Sequence, residues 1–231
     1  MAKKFIVFTT GRTGSTALMD YLEAFDDIGV PNKNIHCPDN ELVHPARIRE
    51  IANQYQVLCK VPITCQDVLI QQFFKYNKNY AFAGFKSMPP RHDNLQELIA
   101  RQDIKFIILT RDDVYSTVAS FFVAIHTGSW RRGGGPQQIK WHFRPEHEKQ
   151  VFGHLHYIYE SHILLKDIKN AVRISYEDLC RPDFQQQALE DFFGRVVKIA
   201  NPKPPVSARD YVLNWDAFKQ FIDANRAKLG F

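Results

Sequence analysis

The residues best suited to chemistry lie together in one short glycine- and hydroxyl-rich segment, which consists of Gly11, Arg12, Thr13, Gly14, Ser15 and Thr16. Apolar residues 5–8 before it are typical of a buried strand, and the apolar residues after it take a helical spacing. A turn between a strand and a helix directs backbone N–H groups and the positive end of the helix dipole to one point. That point suits phosphate or sulfate, and Arg12 adds a positive charge. We therefore expect the segment to bind a phosphorylated nucleotide.

This segment differs from the ATP-binding motif GxxxxGK[ST], in which a lysine precedes the hydroxyl residue. Only two residues separate Gly11 from Gly14, and the segment contains no lysine. A kinase also needs an acidic residue on a second strand to hold Mg²⁺, whereas the apolar run 104–110 leads into Arg111. Both differences argue against an ATP-binding, kinase-like module, which is kept as an alternative function.

A second candidate for anion binding follows the apolar run 104–110. Arg111 stands at the end of this predicted strand, and a helical pattern begins at Asp113. Ser120 lies nine residues after Arg111, about two and a half helical turns along. Arg111 can bind a phosphate through two N–H groups, and Ser120 adds a hydroxyl. We expect the two side chains to hold one phosphate.

Strand and helix patterns alternate along the chain and predict an α/β fold with a parallel sheet flanked by helices. Strands are expected at 57–61, 81–86, 104–110 and 171–175, besides the first one. Helices are expected at 94–101, with Asp93 as N-cap, and at 113–125, 148–169 and 215–227. Ligands of such sheets bind beyond the C-terminal ends of the strands. This rule predicts that Gly11, Lys86 and Arg111 share one rim.

The chain is predicted to form one domain over residues 1–231, with mobile loops near 28–45 and 127–147. Its length of 231 residues and hydrophobic content of 45% suit a single packed core. Residues 1–4 lead directly into the first strand, and no apolar run approaches the ~18 residues of a membrane span. The four cysteines form no CxxC pair. We expect a cytoplasmic protein without an integral membrane segment.

The net charge of +5 favours anionic partners, but the basic residues are spread along the chain. Basic and aromatic residues alternate at 130–132 and 140–144, as on some surfaces that bind single-stranded nucleic acid. We interpret them as a loop over the acceptor site, since no second such patch extends the surface, and expect no nucleic-acid partner. His154 and His156 are two residues apart on a predicted helix and face different sides, so no metal site is expected.

Together, the two anion-binding segments resemble those of the sulfotransferases that use 3′-phosphoadenosine 5′-phosphosulfate (PAPS). The closer resemblance is to the bacterial branch that sulfates trehalose and related glycolipids, beside the nodulation-factor sulfotransferases. Residues 11–16 are similar to its Gly-Arg/Ser-x-Gly-Ser-Thr loop, and residues 110–113 with Ser120 to its Thr-Arg-x-Asp and Ala-x-Ser elements. Weaker similarities occur at 84–88, 121–130 and 175–179.

The resemblance implies a P-loop-like sulfotransferase fold and a role for each segment. The loop 11–16 would hold the 5′-phosphosulfate, and Arg111 and Ser120 the 3′-phosphate. Arg12 and Lys86 would stabilise the charge that develops on the leaving nucleotide, without a metal. The acceptor would be a small molecule or glycan bearing a hydroxyl, and a homodimer is possible.

The general base is where this sequence departs from the family, which has a glutamate in a Gly-Glu-Pro-like segment after the first helix. Here the corresponding residues 35–42 hold no carboxylate directly before the proline. Glu41 and His36 are the first candidates, followed by Asp39, with His92 suggested by other sulfotransferases. A non-catalytic member that binds the nucleotide but lacks a base is therefore a further alternative.

Overall fold

A parallel sheet forms the centre of the protein in the computed structural model, which describes residues 1–127, 140–181, 183–197, 208–210 and 212–230. Within these residues the sheet has five strands: β1 Lys3–Thr9, β2 Ile28–Gly29, β3 Phe82–Ser87, β4 Ile104–Thr110 and β5 Ala171–Ser175. Their order across the sheet is β2-β3-β1-β4-β5, and all neighbouring pairs are parallel. The predicted α/β class and the parallel sheet are confirmed.

Helices connect the strands and cover the sheet. In the described part of the chain they are α1 Ser15–Glu23, α2 Ile48–Cys59, α3 Gln66–Tyr76, α4 Leu95–Ile99, α5 Val114–Thr127, α6 Glu148–Leu165, α7 Tyr176–Leu179, α8 Gln187–Phe193 and α9 Trp215–Leu229. None of these described helices combines the length and the apolarity needed to cross a bilayer.

The alternation of side chains along β1 explains the two layers that cover the sheet. Ile6 and Phe8 belong to the core with α2, α3 and α4. Phe5 and Val7 belong to the opposite core with α1 and α8. Because both faces are buried, the strands read as continuous apolar runs in the sequence. A third cluster joins α5, α6 and α9, with Trp141 packed between them.

Sheet topology places a crevice next to β1. The chain leaves β1 toward β2 on one side of the sheet, whereas it leaves β4 toward β5 on the other side. Adjacent strands whose outgoing connections diverge form a switch point, and ligands of open parallel sheets bind there. The residues that follow β1 and β4 therefore flank the expected ligand crevice.

Two local expectations are wrong. Residues 57–61, predicted as a strand, continue α2 to Cys59, because Ile51 and Tyr55 form its buried face at helical spacing while Val57 is 76% exposed. The predicted N-cap Asp93 is also displaced, since Asn94 occupies that position and its side chain makes no capping bond. The bounds predicted for β4 and β5 agree with the structure.

The segment 28–45, predicted as a loop, packs closely against the body. It contains β2 and two 3-10 turns, Pro31–Lys33 and Pro38–Asn40, and it buries Val30 and Leu42. Its mobility stays a prediction. Most of the other predicted loop, residues 128–139, lies outside the described residues, as does the proline-rich stretch 201–205.

Candidate functional site

The loop that follows β1 has an unusual backbone. Gly11 (φ +80°), Arg12 (φ +56°) and Gly14 (φ +77°) are all left-handed, three of four successive residues. Such conformations turn backbone N–H groups toward a shared concavity that attracts anions. Gly14 is the N-cap of α1, and no side chain caps this helix end. The N-terminal N–H groups of α1 are therefore left for a ligand.

Glycine is required at position 14 for a second reason. A Cβ atom there would lie 2.6 Å from Cδ2 of the Tyr176 ring, which is closer than real contacts allow. Tyr176 in turn packs under Arg111, whose guanidinium carbon lies 4.9 Å from the ring centre. The loop, the start of α7 and the residue after β4 therefore hold one another in place.

The hydroxyl residues of the loop divide into two groups. Thr13 is fully buried, and its hydroxyl is hydrogen-bonded to that of Thr9. It therefore shapes the loop and does not line the cavity that opens beside it. Its predicted role as a ligand-binding hydroxyl is not supported by this placement. Ser15 and Thr16 line the cavity, and the Thr16 hydroxyl donates to Asp39 Oδ1 at 3.5 Å.

Arg111 lies next to the loop, as the sequence predicted, and Ser120 also contacts it. That the two side chains hold one phosphate stays a prediction. Arg111 Nη1 donates to the backbone oxygen of Arg12 at 3.4 Å, and Arg12 Nε donates to Ser120 Oγ at 2.9 Å. Arg111 is buried, and its Nε–H makes no hydrogen bond within the described residues, although this nitrogen lies 3.9 Å from Glu177 Oε1 in an ion pair. A buried N–H donor without an acceptor costs free energy, which an anionic ligand would recover.

A cavity of about 800 Å³ opens beside the loop. Its walls are the loop itself, residues 37–47, the end of β3, and the facing sides of α5 and α6. Four cationic side chains line it, against two carboxylates: the cations are Arg12, Arg47, Lys86 and Arg91, and the carboxylates are Asp39 and Glu41. The cavity joins the predicted anion loop to Lys86 and to two of the four candidates for the base, Asp39 and Glu41.

Glu41 and Lys86 are neighbouring buried charged residues that line this cavity. Each is only 5% exposed, and their backbones pair in a parallel bridge. Arg91, which the sequence did not single out, forms an ion pair with Glu41 Oε1. Glu41 Oε2 makes no hydrogen bond within the described residues, so it is available to accept a proton or a hydrogen bond from a ligand.

Two other candidates for the base lie elsewhere. His36 is exposed and does not line the cavity, so the structure does not bring this predicted catalytic residue to the site. His92 also lies outside the lining: its Nε2 is 2.7 Å from Ser87 Oγ, and burial lowers its pKa to about 4. Asp39, which does line the cavity, accepts a hydrogen bond from the Thr16 hydroxyl.

His154 of α6 lines the cavity, although the sequence did not predict it as a site residue. Its ring stacks on Phe121 of α5 with 3.7 Å between ring centres, and both line the cavity. Burial, and then the charge of Arg12, lower the pKa of His154 to about 3, so the imidazole is neutral. The signal was present, because His154 lies three residues after the inward-facing Val151, on the same side of the helix.

The surroundings of the cavity also raise the pKa of the Cys37 thiol. Burial, and then the nearby Glu41 carboxylate, raise the pKa of Cys37 to about 12. The thiol is therefore protonated near neutral pH and is not a nucleophile. Within the described residues, no group of three or more His, Cys, Asp or Glu side chains is placed to hold a metal ion.

A scan against protein-family models gives no match, and a search of curated proteins finds no significant match. The function is therefore inferred from the residues and from the geometry of the site.

Proposed function

We propose that the chain is a sulfotransferase of P-loop-like fold, which moves the sulfuryl group of PAPS to a hydroxyl of a small-molecule or glycan acceptor. The observation that carries the proposal is the arrangement around the loop 11–16. The loop opens onto a cavity that buried Glu41 and Lys86 line. Arg111 and Ser120 do not line this cavity but are hydrogen-bonded to Arg12 of the loop.

Donor binding follows from the two anion-binding elements. Backbone N–H groups of the loop, Arg12, Ser15 and Thr16 would hold the 5′-phosphosulfate. Arg111 and Ser120 would hold the 3′-phosphate, and the buried Arg111 Nε–H, which makes no hydrogen bond within the described residues and lies 3.9 Å from Glu177 Oε1, supports this role. The residues therefore fit a nucleotide with anionic groups at both positions.

The transfer itself needs charge stabilisation and a base. PAPS supplies a sulfuryl group whose bond to the phosphate oxygen breaks as the acceptor oxygen bonds to sulfur. Arg12 and Lys86 would neutralise the charge that develops on the phosphate oxygen. Glu41 would accept the hydroxyl proton through Oε2, while Arg91 holds Oε1. A cytoplasmic location and a homodimer stay predictions.

Sulfuryl transfer tests this proposal. Purified protein is incubated with ³⁵S-labelled PAPS and a panel of sugars and glycolipid headgroups, and labelled products are counted. We expect transfer that Arg12→Ala reduces by about 10²-fold or more, since the variant removes a donor to the leaving group. Arg49→Ala, at an exposed position outside the cavity lining, is the control and keeps wild-type transfer. Transfer from ATP with Mg²⁺ instead would favour the kinase-like alternative.

A further inference from the structure

We propose that Asn40 is a positioning residue, which fixes the Glu41 carboxylate in the site through a hydrogen-bonded latch with Glu23 and Asn32. The proposal rests on the proposed function, because the role of Glu41 as base belongs to that function. The latch consists of these three side chains and the backbone N–H of Asn32, and none of the three residues belongs to the loop 11–16.

The latch is a closed ring of hydrogen bonds. Asn40 is 1% exposed, and its Nδ2 donates to Glu23 Oε2 at 2.7 Å. Its Oδ1 accepts from the backbone N–H of Asn32 at 2.8 Å, and Asn32 Nδ2 donates to Glu23 Oε1 at 2.7 Å. The partners fix the orientation of the Asn40 amide, since a carboxylate only accepts and a backbone N–H only donates.

The backbone at this point needs such support. Asp39 (φ +63°) and Asn40 (φ +54°) are consecutive left-handed residues without being glycine. Each such residue costs on the order of 1–3 kcal/mol and persists only where its surroundings hold it. After this pair the chain becomes extended at Glu41, which then pairs with Lys86. The latch therefore determines where the carboxylate enters the cavity.

Helix α1 connects Asp39 and Asn40 to the loop 11–16. It begins directly after the loop, and the Thr16 hydroxyl in its first turn donates to Asp39 Oδ1. Its last residue, Glu23, holds Asn40. Helix α1 therefore contacts residues 39 and 40 through its first turn and through its last residue. These contacts link the position of the Glu41 carboxylate to the position of the loop 11–16.

A reciprocal swap tests the latch. Asn40→Asp keeps a residue that tolerates the left-handed backbone but removes the donor and places two carboxylates together. We expect kcat to fall about 10–100-fold, as for a misplacement of about 1 Å, with the KM for PAPS nearly unchanged. Combining Asn40→Asp with Glu23→Gln reverses donor and acceptor at the same net charge. We expect the double variant to recover kcat to within about threefold of wild type.

A matched control separates positioning from a loss of stability. Asn34 lies in the same segment, and its Nδ2 donates to Asn77 Oδ1 at 2.8 Å, but it does not line the cavity. Asn34→Asp removes a comparable hydrogen bond, so it should lower the melting temperature and leave kcat unchanged. Wild-type kcat in Asn40→Asp overturns the proposal, as does a double variant that recovers the melting temperature but not kcat.

Hydrogen exchange keeps this test distinct from the test of the proposed function. Absence of any sulfuryl transfer by the wild-type protein contradicts the proposed function. The latch is then judged by amide exchange at residues 39–42, which should quicken in Asn40→Asp and slow again in the double variant. Unchanged exchange in Asn40→Asp overturns the latch whatever the activity.

Discussion

Replacing Gly14 by alanine perturbs the anion loop at its most constrained point. The left-handed backbone (φ +77°) costs an alanine about 1–2 kcal/mol. The added Cβ also meets the Tyr176 ring at 2.6 Å, and overpacking of this kind typically costs about 1–3 kcal/mol. The midpoints of the two costs sum to about 3.5 kcal/mol, which corresponds to a fall in melting temperature of about 7–14 °C for a chain of this size.

A matched variant isolates the contribution of the clash. Gly194 is also left-handed (φ +65°), but a Cβ there would meet nothing within 4 Å. Gly194→Ala should therefore lower the free energy of unfolding only through backbone strain, by about 1.5 kcal/mol, and the melting temperature by about 3–6 °C. Thermal unfolding followed by circular dichroism measures both variants.

Nucleotide binding gives the second readout of Gly14→Ala. Moving the Tyr176 ring disturbs Arg111, which lies over it, so binding of 3′-phosphoadenosine 5′-phosphate should weaken in this variant and not in Gly194→Ala. Equal melting temperatures for the two variants would refute the close approach of Gly14 to Tyr176. Unchanged nucleotide binding in Gly14→Ala would refute the coupling of the loop to Arg111.

The remaining predictions concern specificity, the base and pH. Arg111→Ala should reduce the preference for a nucleotide with a 3′-phosphate over one without it by about 10-fold or more, measured as a ratio of Kd values; an unchanged ratio contradicts the assignment. Glu41→Gln should leave nucleotide binding intact and slow transfer by about 10²-fold or more, whereas unchanged transfer removes Glu41 as the base. The pKa values of His92 and His154 are lowered in the folded protein, to about 4 and about 3. The free energy of unfolding therefore keeps the full contribution of these neutral histidines above about pH 6.5 and falls as the pH drops below it. Urea unfolding should show up to about 1.4 kcal/mol lost per pH unit for each histidine between pH 6.5 and 5, and His92→Gln should flatten the profile; a flat wild-type profile contradicts this account.

The sheet could be predicted because its strands are buried on both faces. Continuous, mostly apolar runs such as 104–110 indicate a strand clearly when Gly, Pro or charged residues bound them. Because ligands bind at the C-terminal ends of parallel strands, the sequence also predicted that Lys86 and Arg111 lie near the loop. Residues 57–61 were misread because a short apolar run does not distinguish a strand from the end of a helix. The spacing of Ile51 and Tyr55 would have favoured the helix.

The acceptor side of the site was less predictable than the anion loop. The loop is local in sequence, so its glycines and hydroxyl residues reveal it directly. The ion pair between Glu41 and Arg91 joins residues 50 positions apart. The latch joins the end of α1 to the segment 28–45 through residues 8 and 17 positions apart. No local pattern encodes such contacts. For the same reason, His36 and Glu41 could not be ranked from the sequence.

Ligand-induced stabilisation tests the central claim most directly. Melting temperatures are measured with 3′-phosphoadenosine 5′-phosphate, with ATP and Mg²⁺, and with AMP. A ligand at 100 times its Kd stabilises the native state by about 2.7 kcal/mol, which should raise the melting temperature by about 5–10 °C. We predict this shift for the 3′-phosphorylated nucleotide alone. A larger shift with ATP and Mg²⁺, or none with any nucleotide, would contradict the account.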